Sequence, residues 1–392
     1  MSRAKILTLV FALLLVLSLT AATVLAQDNP LRITLVINGV LGDKSFFDSA
    51  QRGMDRAIDD FDVEVNTIEL GIDPANWESG LDDAMSDTES YDILIAGTFQ
   101  LVDFVGARAA EYPDKIFITY DAAVAYGAQE DADTANDNLC VDGCVNVYGA
   151  TYKQNEGSFV AGVYAAAMSQ LEGVDGITPG DAIIGAVGGQ DIPVINDFIV
   201  GYEQGACLVS PDSQVIVQYA GGWNDPARGK EIALAMYEQG ADIVFQIAGG
   251  TGVGVFEAAQ EQNHFAIGVD SDQASIIMDT NPEQAARILT SMQKNVDNSL
   301  YRAIDLYLQG TLPVGSAENL GLAEGGVSLS VNDIYTENTP ESVQNLVAAV
   351  TDAVSAGDVV VNSAFGDAAV TVGQGCDAMP ATEFDVQAAM GM

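Results

Sequence analysis

Aspartates follow the ends of several apolar, strand-like segments of this sequence. Asp43, Asp121 and Asp270 each come just after such a segment, in NGVLGD, ITYD and IGVD. One Asp at such a place would mean little, because Asp is common in helix caps and turns. Three at comparable positions favour carboxylates that accept hydrogen bonds from a polar ligand, since ligands of open α/β sheets bind at the carboxyl ends of the strands.

Two phenylalanines lie at comparable places in the two halves of the chain. Phe46 falls in the first turn of a helix predicted over residues 45–61, where Ser45 and Asp48 form an S-x-x-D capping signature. Phe198 is predicted to open the corresponding helix of the second half. Two such rings facing each other across a cleft would stack on both sides of a flat ligand. The alternative is that each ring belongs to the core.

The helical spacing separates Phe47 from its neighbour. Phe47 shares one predicted helix face with other apolar residues, which indicates a buried stripe, and Phe46 lies off that stripe. Phe47 is nevertheless kept among the candidate binding residues. The residues that share its face are Ala50, Met54, Ala57 and Ile58.

Glycine-rich turns resemble two phosphate-binding signatures without matching either. The run 249–254, GGTGVG, lacks the third glycine of a dinucleotide fingerprint. The segment 224–230, NDPARGK, lacks the first glycine of a P-loop and continues with Glu231. These turns still predict that the backbone approaches a ligand closely at a helix N terminus.

Residues for catalysis or metal binding are hard to assemble from this sequence. His264 is the only histidine and reads as a surface or structural residue, and neither G-x-S-x-G nor S-x-x-K occurs. A zinc site is disfavoured because the sequence has only this one histidine to serve as a ligand. We therefore expect no enzymatic activity, no metal and no cofactor.

The charge of the chain restricts its partners. Its 392 residues include 14 Lys and Arg against 56 Asp and Glu, a net charge of −42, which repels nucleic acid and anionic lipid. The hydrophobic content of 48% is too high for a disordered chain. This length accommodates two ordinary domains.

The N terminus and the cysteines indicate export. Residues 1–26 are predicted to be a signal peptide, with Arg3 and Lys5 before an apolar core at 6–17; an uncleaved anchor is the alternative. An exported protein should pair its cysteines. A local Cys140–Cys144 bridge with Cys207–Cys376 is the default among three connectivities. The predicted location is the periplasm or the outer face of the membrane.

Short apolar strands alternate with amphipathic helices along the chain, which predicts an α/β fold with parallel sheets buried on both faces. Two blocks of four strands span about 31–121 and 155–270. We predict lobe 1 as 31–121 plus about 271–310, a connector and hinge at 122–154, and lobe 2 as 155–270 plus about 311–392. Further hinges are predicted near 270–275 and 310.

The chain resembles the basic-membrane-protein, or PnrA-like purine nucleoside receptor, family of substrate-binding proteins of ABC transporters. Lys294, in SMQKNVD, matches as well, and the resemblance covers about 31–310. The other matching segments are GDKSFFDSAQRGM (42–54), EYPDKIFITYD (111–121), KQNEGSFVAGVYAA (153–166), GGQDIPVINDFIVGYEQGA (188–206), AGGTGVGVFEAA (248–259) and IGVDSDQ (267–273).

The resemblance implies a type I periplasmic-binding fold, in which two Rossmann-like lobes joined by three crossovers close on a ligand. It implies that Phe46 and Phe198 stack on a purine and that Asp121 touches the base. Ribose would be held by Asp270, Lys294 and the turn from Gly250 to Gly252. The family commonly has Asn where this chain has Phe47, so an amide that could read a base edge is missing.

These observations lead to one predicted function and several alternatives. The chain is expected to be a monomeric receptor that delivers a nucleoside-like ligand to the permease, and through it the ATPase, of an ABC importer. Another polar solute, such as a sugar or signalling molecule, is the alternative ligand. A ligand-sensing receptor module and a calcium-dependent nucleoside hydrolase are alternatives from other classes. A receptor module is disfavoured because an appended signalling domain is not found in this sequence. A nucleoside hydrolase is disfavoured because no dense Asp cluster lies near one strand end.

Overall fold

The computed structural model describes residues 29–126, 140–180, 182–378 and 383–391. The predicted signal peptide, 1–26, lies outside the described residues, as does much of the predicted connector. Within the described ranges, no helix is both long and apolar enough to cross a bilayer.

Two six-stranded sheets form the framework of the protein. In the first, the strands run β11-β5-β4-β3-β1-β2, and all pairs are parallel. Its strands are β1 (Leu31–Ile37), β2 (Val63–Glu69), β3 (Ile93–Ala96), β4 (Ile116–Tyr120), β5 (Val147–Tyr152) and β11 (Ser316–Leu320). Central β3 is wholly buried, whereas buried and exposed residues are mixed along edge strand β2, as expected for a sheet covered by helices on both faces.

The second sheet has the order β12-β10-β9-β8-β6-β7, and among its described strands only the β10–β12 pair is antiparallel. Its strands are β6 (Ile183–Gly188), β7 (Gln214–Tyr219), β8 (Ile243–Ile247), β9 (Phe265–Val269), β10 (Ile288–Lys294) and β12 (Val327–Leu329). The two-sheet α/β architecture therefore confirms the predicted fold class, with one antiparallel edge pair that the sequence did not indicate.

Thirteen α-helices connect and cover the sheets within the described residues. They are α1 (Phe46–Asp60), α2 (Trp77–Ser86), α3 (Val102–Arg108), α4 (Gln154–Ser169), α5 (Pro193–Val209), α6 (Pro226–Glu238), α7 (Val253–Gln262), α8 (Gln273–Met278), α9 (Pro282–Ala285), α10 (Val296–Leu308), α11 (Asp333–Asn338), α12 (Glu341–Ala356) and α13 (Val386–Ala389). The sequence pattern predicts helices over 158–170 and 198–208, and α4 and α5 begin four and five residues earlier than this.

The chain passes between the sheets three times, and this corrects the predicted lobe boundaries. Strands β1–β5 lie in the first sheet and β6–β10 in the second, after which β11 returns to the first and β12 to the second. The crossings therefore fall after β5, β10 and β11, and not near 270–275 or 310. Pairing with β5 across more than 150 residues decides the place of β11, so local pattern could not reveal it.

The central helix pair α4 and α5 is held together by close backbone contact. Helix α4 is buried on all sides. A Cβ atom added at Gly162 would lie 2.1 Å from the Tyr202 carbonyl oxygen, and one at Gly205 would lie 2.0 Å from that of Phe159. Only glycine permits this approach, which brings the N terminus of α5, and with it Phe198, against the core.

The helix that carries Phe46 packs differently from the predicted stripe. Its buried residues are Ser49, Ala50, Gly53, Met54 and Ala57, whereas Ile58 is 46% exposed. A Cβ at Gly53 would lie 2.7 Å from the carbonyl oxygen of Asp297, so α10 sets which face of α1 is buried. Phe47 is half-buried rather than a core residue.

Residues 359–378, which we call the C-terminal strap, lie along α5. The Asn362 amide donates to the Gln204 side chain, and the Gly373 amide donates to Glu203. A disulfide joins Cys207 to Cys376, and a second joins Cys140 to Cys144, which confirms the predicted connectivity. The strap therefore adds a covalent and hydrogen-bonded layer to the second lobe.

Candidate functional site

A cleft lies where the carboxyl ends of the strands of the two sheets face each other. Loops after β1, β2, β3 and β4 line it from the first lobe, and loops after β6, β7, β8 and β9, with the end of β10, line it from the second. Eight of the nine predicted ligand-binding residues line this cleft: Asp43, Phe46, Phe47, Asp121, Phe198, Gly250, Asp270 and Lys294. The topological rule for parallel sheets thus accounts for the position of the cleft.

Asp43 caps α1, which leaves its carboxylate little capacity for a ligand. Its two oxygens accept hydrogen bonds from the backbone amides of Ser45, Phe47 and Asp48, at 2.9, 2.9 and 3.1 Å. The predicted Ser45 cap is wrong, since the Ser45 hydroxyl makes no cap hydrogen bond. Burial raises the pKa of Asp43, although the three amides act in the opposite direction.

Asp270 and Ser45 connect the two lobes at one side of the cleft. The Ser45 hydroxyl donates to Asp270 Oδ2, and the Ser271 hydroxyl donates to the Ser45 carbonyl oxygen at 2.9 Å. Asp270 is 8% exposed, and this burial raises its pKa to about 6 in spite of the nearby Lys294 ammonium. Its second oxygen is available to a ligand hydroxyl.

Asp121 and Asp270 share an unusual backbone conformation. Their φ angles are +69° and +63°, in the left-handed region that non-glycine residues seldom adopt. Each follows a central strand of its own sheet, β4 or β9. Asp tolerates this conformation better than most residues, so the geometry explains why Asp recurs at the two equivalent strand ends.

Lys294 is the only cation among the described residues that line the cleft. Its Nζ lies 2.6 Å from Asp121 Oδ1, and the two side chains are only 4% and 10% exposed. The same ammonium lies 4.8 Å from the ring centroid of Phe198, 5.5 Å from that of Tyr152 and 5.8 Å from that of Phe46. Lys294 is therefore a buried charge held between rings and one carboxylate.

Phe46 lines the cleft and contacts two other aromatic rings. It stacks on Tyr120 with a centroid distance of 5.4 Å and an interplanar angle of 28°. Phe47 meets it edge-on at 5.4 Å and 71°. Because Tyr120 is fully buried, Phe46 has a rigid support. Both phenylalanines line the cleft, so the helical phase did not separate a core ring from a binding ring.

Phe198 lies in the second turn of α5 and does not open it as predicted, because the helix begins at Pro193. The side chain is 2% exposed and contacts Phe245, at a centroid distance of 6.5 Å. It lines the cleft nonetheless. Phe198 is thus both a core residue and part of the cleft wall.

The glycine turn Gly249–Gly252 contributes unevenly to the cleft. Gly249 and Gly250 line it, whereas Gly252 is buried and does not. A Cβ at Gly252 would lie 1.7 Å from the side-chain oxygen of Gln246, so this glycine serves packing. Of the two predicted glycines, only Gly250 is in a position to meet a ligand.

Both tryptophans of the chain line the cleft, and the sequence analysis missed them. Trp77 follows β2 and donates from Nε1 to the Gly71 carbonyl oxygen at 2.8 Å. Trp223 follows β7, and its ring covers Gly189, where an added Cβ would lie 2.2 Å from it. Their matching places after the second strand of each sheet were the available signal.

Amide and hydroxyl side chains were also missed at this site. Thr98 donates to Asn38 Oδ1 at 3.2 Å, and Asn38 donates to Gln100 Oε1 at 3.3 Å. All three line the cleft. Asn38 and Gln100 provide side-chain amide groups to the cleft, which Phe47 cannot. No group of three metal-binding side chains occurs among the described residues.

Residues 31–358 match the family model described as ABC transporter substrate-binding protein PnrA-like. Basic membrane protein D of Borreliella burgdorferi is 29% identical over 313 residues, which are 79% of this chain and 81% of that protein.

Two further proteins add to this likeness. The ABC transporter nucleoside-binding protein BmpA of Lactococcus lactis is 31% identical over 262 residues, 64% of this chain and 67% of that protein. A crystal structure of an ABC transporter solute-binding protein from Aeropyrum pernix superposes with a TM-score of 0.66 at 27% identity. It covers 84% of this chain and 92% of that one. The two-sheet architecture is therefore the periplasmic-binding-protein fold.

Proposed function

Because the chain belongs to the PnrA-like family of ABC transporter substrate-binding proteins, we propose that it binds a purine nucleoside between its two lobes. The family consists of extracytoplasmic receptors that hand small molecules to the permease of an importer. In this proposal the chain carries out no reaction on its ligand. It passes the nucleoside to a permease and its ATPase.

One observation carries the proposal: two phenylalanines from different lobes line one cleft around a single ammonium. Phe46 comes from the first lobe and Phe198 from the second, and Lys294 Nζ lies within 6 Å of both ring centroids. A flat heteroaromatic ring between them would gain stacking contacts on both faces. The nucleoside-binding relative from Lactococcus lactis supports the same ligand class.

The polar groups suit the sugar of a nucleoside and disfavour a phosphate. The free oxygen of Asp270 and the Lys294 ammonium could bind ribose hydroxyls, and Gly250 lines the cleft with them. Asp121 is assigned to the base. Three carboxylates surround one cation that is already paired, so a phosphate dianion would meet net repulsion.

Calorimetric titration with inosine, guanosine and adenosine tests the proposal, with inosine 5′-monophosphate and arabinose as controls. We expect the nucleosides to bind and the nucleotide to bind at least about 100-fold more weakly. Binding of arabinose without any nucleoside would replace the proposal with a sugar receptor. Mass spectrometry of the small molecules that co-purify with the protein identifies the ligand independently.

Closure of the lobes is a separate part of the proposal. Three crossings connect the lobes, and the Asp121–Lys294 and Ser45–Asp270 contacts span the cleft. X-ray scattering should show a smaller radius of gyration at saturating nucleoside. A value that stays unchanged while calorimetry shows binding would contradict hinged closure.

A further inference from the structure

Apolar side chains of the first lobe form an exposed margin along the cleft. We call Val40, Ile72, Trp77 and Phe99 the apolar rim; they come from three successive loops, after β1, β2 and β3. Val40 is 44% exposed, Ile72 59% and Phe99 40%. All four line the same cavity as Phe46 and Phe198. The rim is therefore continuous with the proposed nucleoside site.

The fold does not require the rim to be apolar. Trp77 packs against the core of the first lobe, but Val40, Ile72 and Phe99 belong to none of the hydrophobic clusters among the described residues. Large apolar side chains on three adjacent loops stand out on a protein with a net charge of −42. Clustered exposure of this kind marks a surface that something else covers.

The opposite wall supplies a matching surface. Trp223 of the second lobe lines the same cavity, and its ring lies close over Gly189. Phe47 adds another ring beside Phe46. Among the described residues, the acidic and basic groups that line the cavity are Asp43, Asp121, Asp270 and Lys294. They come from strand ends or, for Asp43, from the start of α1, and none belongs to the rim. The cavity thus combines a polar floor with an apolar mouth.

A bare nucleoside cannot use all of these rings. A purine has two faces, which Phe46 and Phe198 would take, and this leaves Phe47, Phe99, Trp77 and Trp223, which line the same cavity, without a contact to the ligand. We propose that the rim and Trp223 form a subsite for a hydrophobic substituent attached to the base of the ligand. The preferred ligand class is then a nucleoside that carries an aryl or alkyl group. This inference rests on the proposed function and narrows its substrate.

The continuity of the cavity favours the ligand over a protein partner as the occupant. A permease segment or a second copy of the chain could cover Val40 or Ile72, but Trp223 lies on the other wall of the cavity. A group attached to a molecule already in the cleft would contact both walls at once. Burial of its apolar area is the source of the expected preference.

Calorimetric titration of the mature protein with adenosine and with N6-benzyladenosine tests the subsite. We expect the benzyl compound to bind roughly 10-fold more tightly, because it buries apolar surface that adenosine leaves exposed. In the Ile72→Ser/Phe99→Ser variant, the ratio of the two dissociation constants should fall to about one. Val331→Ser, at a residue that is 69% exposed and lies outside the cleft, should keep the wild-type ratio.

The other outcomes separate this inference from the proposed function. Adenosine that binds while the benzyl compound binds no more tightly overturns the subsite and leaves the nucleoside receptor standing. A preference that persists in the double variant also overturns it. Binding of neither compound overturns the subsite, and the titrations with inosine and guanosine then decide the nucleoside proposal by themselves. If sedimentation shows that the double variant instead abolishes a dimer, the rim is an interface between copies and not a subsite.

Discussion

Lys294 and Asp121 form a buried ion pair between the two lobes, with 2.6 Å between Nζ and Oδ1. Lys294 ends β10 of the second sheet, and Asp121 follows β4 of the first. Neither charge has much contact with water, so each depends on the other. The proposed ligand must therefore bind beside this pair without leaving either charge unpaired.

Removing one partner should be more harmful than removing both. Lys294→Met is expected to lower the free energy of unfolding by about 3–5 kcal/mol, because it leaves Asp121 buried and unpaired. Lys294→Met with Asp121→Asn should recover most of that loss, since Asn tolerates the positive φ angle at this position. Urea unfolding measures the three proteins, and calorimetry should show that the double variant remains unable to bind nucleoside.

A double variant that is no more stable than Lys294→Met would contradict the proposed coupling. A double variant that binds nucleoside with wild-type affinity would remove both residues from the site.

Phe46→Ala should weaken ligand binding more than it weakens the fold. Loss of one stacking face is expected to reduce affinity by about 1–3 kcal/mol, roughly 5- to 150-fold in the dissociation constant. Phe61→Ala is a matched control, because Phe61 follows the same helix and stacks on Tyr301 at 5.0 Å but lies outside the cleft. It should lower the melting temperature and leave affinity unchanged. If Phe46→Ala behaves like Phe61→Ala, its ring is structural only.

The two disulfides should differ in their effect on stability. The Cys207–Cys376 bridge joins residues 169 positions apart, whereas Cys140–Cys144 spans four. In the chain-entropy account, removing the long bridge costs about 5 kcal/mol and removing the short one about 2 kcal/mol. Denaturant unfolding of the two paired Cys→Ser variants measures this. Equal losses would show that loop entropy does not govern the C-terminal strap.

Glu203 should make stability depend on pH. Burial raises its pKa to about 7 from an ordinary 4.5, although the Gly373 amide opposes this shift. The folded chain therefore binds the proton more tightly than the unfolded chain, and the stability this supplies is complete below about pH 4.5 and lost as pH rises through about 7.

Glu203→Gln should accordingly raise the free energy of unfolding near pH 8 by on the order of 1–3 kcal/mol and change little near pH 4.5. Glu238→Gln removes the same charge from an exposed position of α6 and serves as the control. Parallel shifts of both variants at all pH values would mean that net charge, and not the buried carboxyl, is responsible.

Local sequence pattern predicted the individual strands better than it predicted which strands pair in a sheet. Parallel strands that are buried on both faces leave apolar runs, so β1 and β8 were evident from sequence. Strand β5 was missed because it contains Gly149 and lies at the end of an irregular acidic connector. The place of β11 depends on its pairing with the distant β5, which no local pattern records.

The site was predictable where a residue type had a matching place in both lobes. Asp121 and Asp270 are such a pair. Phe46 and Phe198 both line the cleft, although Phe46 begins α1 and Phe198 lies in the second turn of α5. Gly252 was predicted to bind the ligand because it shares a turn with Gly250. It instead packs closely against the side chain of Gln246. The capping of α1 by Asp43 instead of Ser45 depends on a backbone bend that only the structure reveals.

Because of the three crossings, both lobes depend on the last part of the chain to be synthesised. Strands β11 and β12 both lie beyond residue 310, yet each closes an edge of a different sheet. A chain that stopped there would lack one strand from each lobe at once, including β12, whose Val327 pairs with Lys294. A late nonsense codon would thus damage the first-made half as well as the second, and neither half of the gene encodes a self-sufficient lobe.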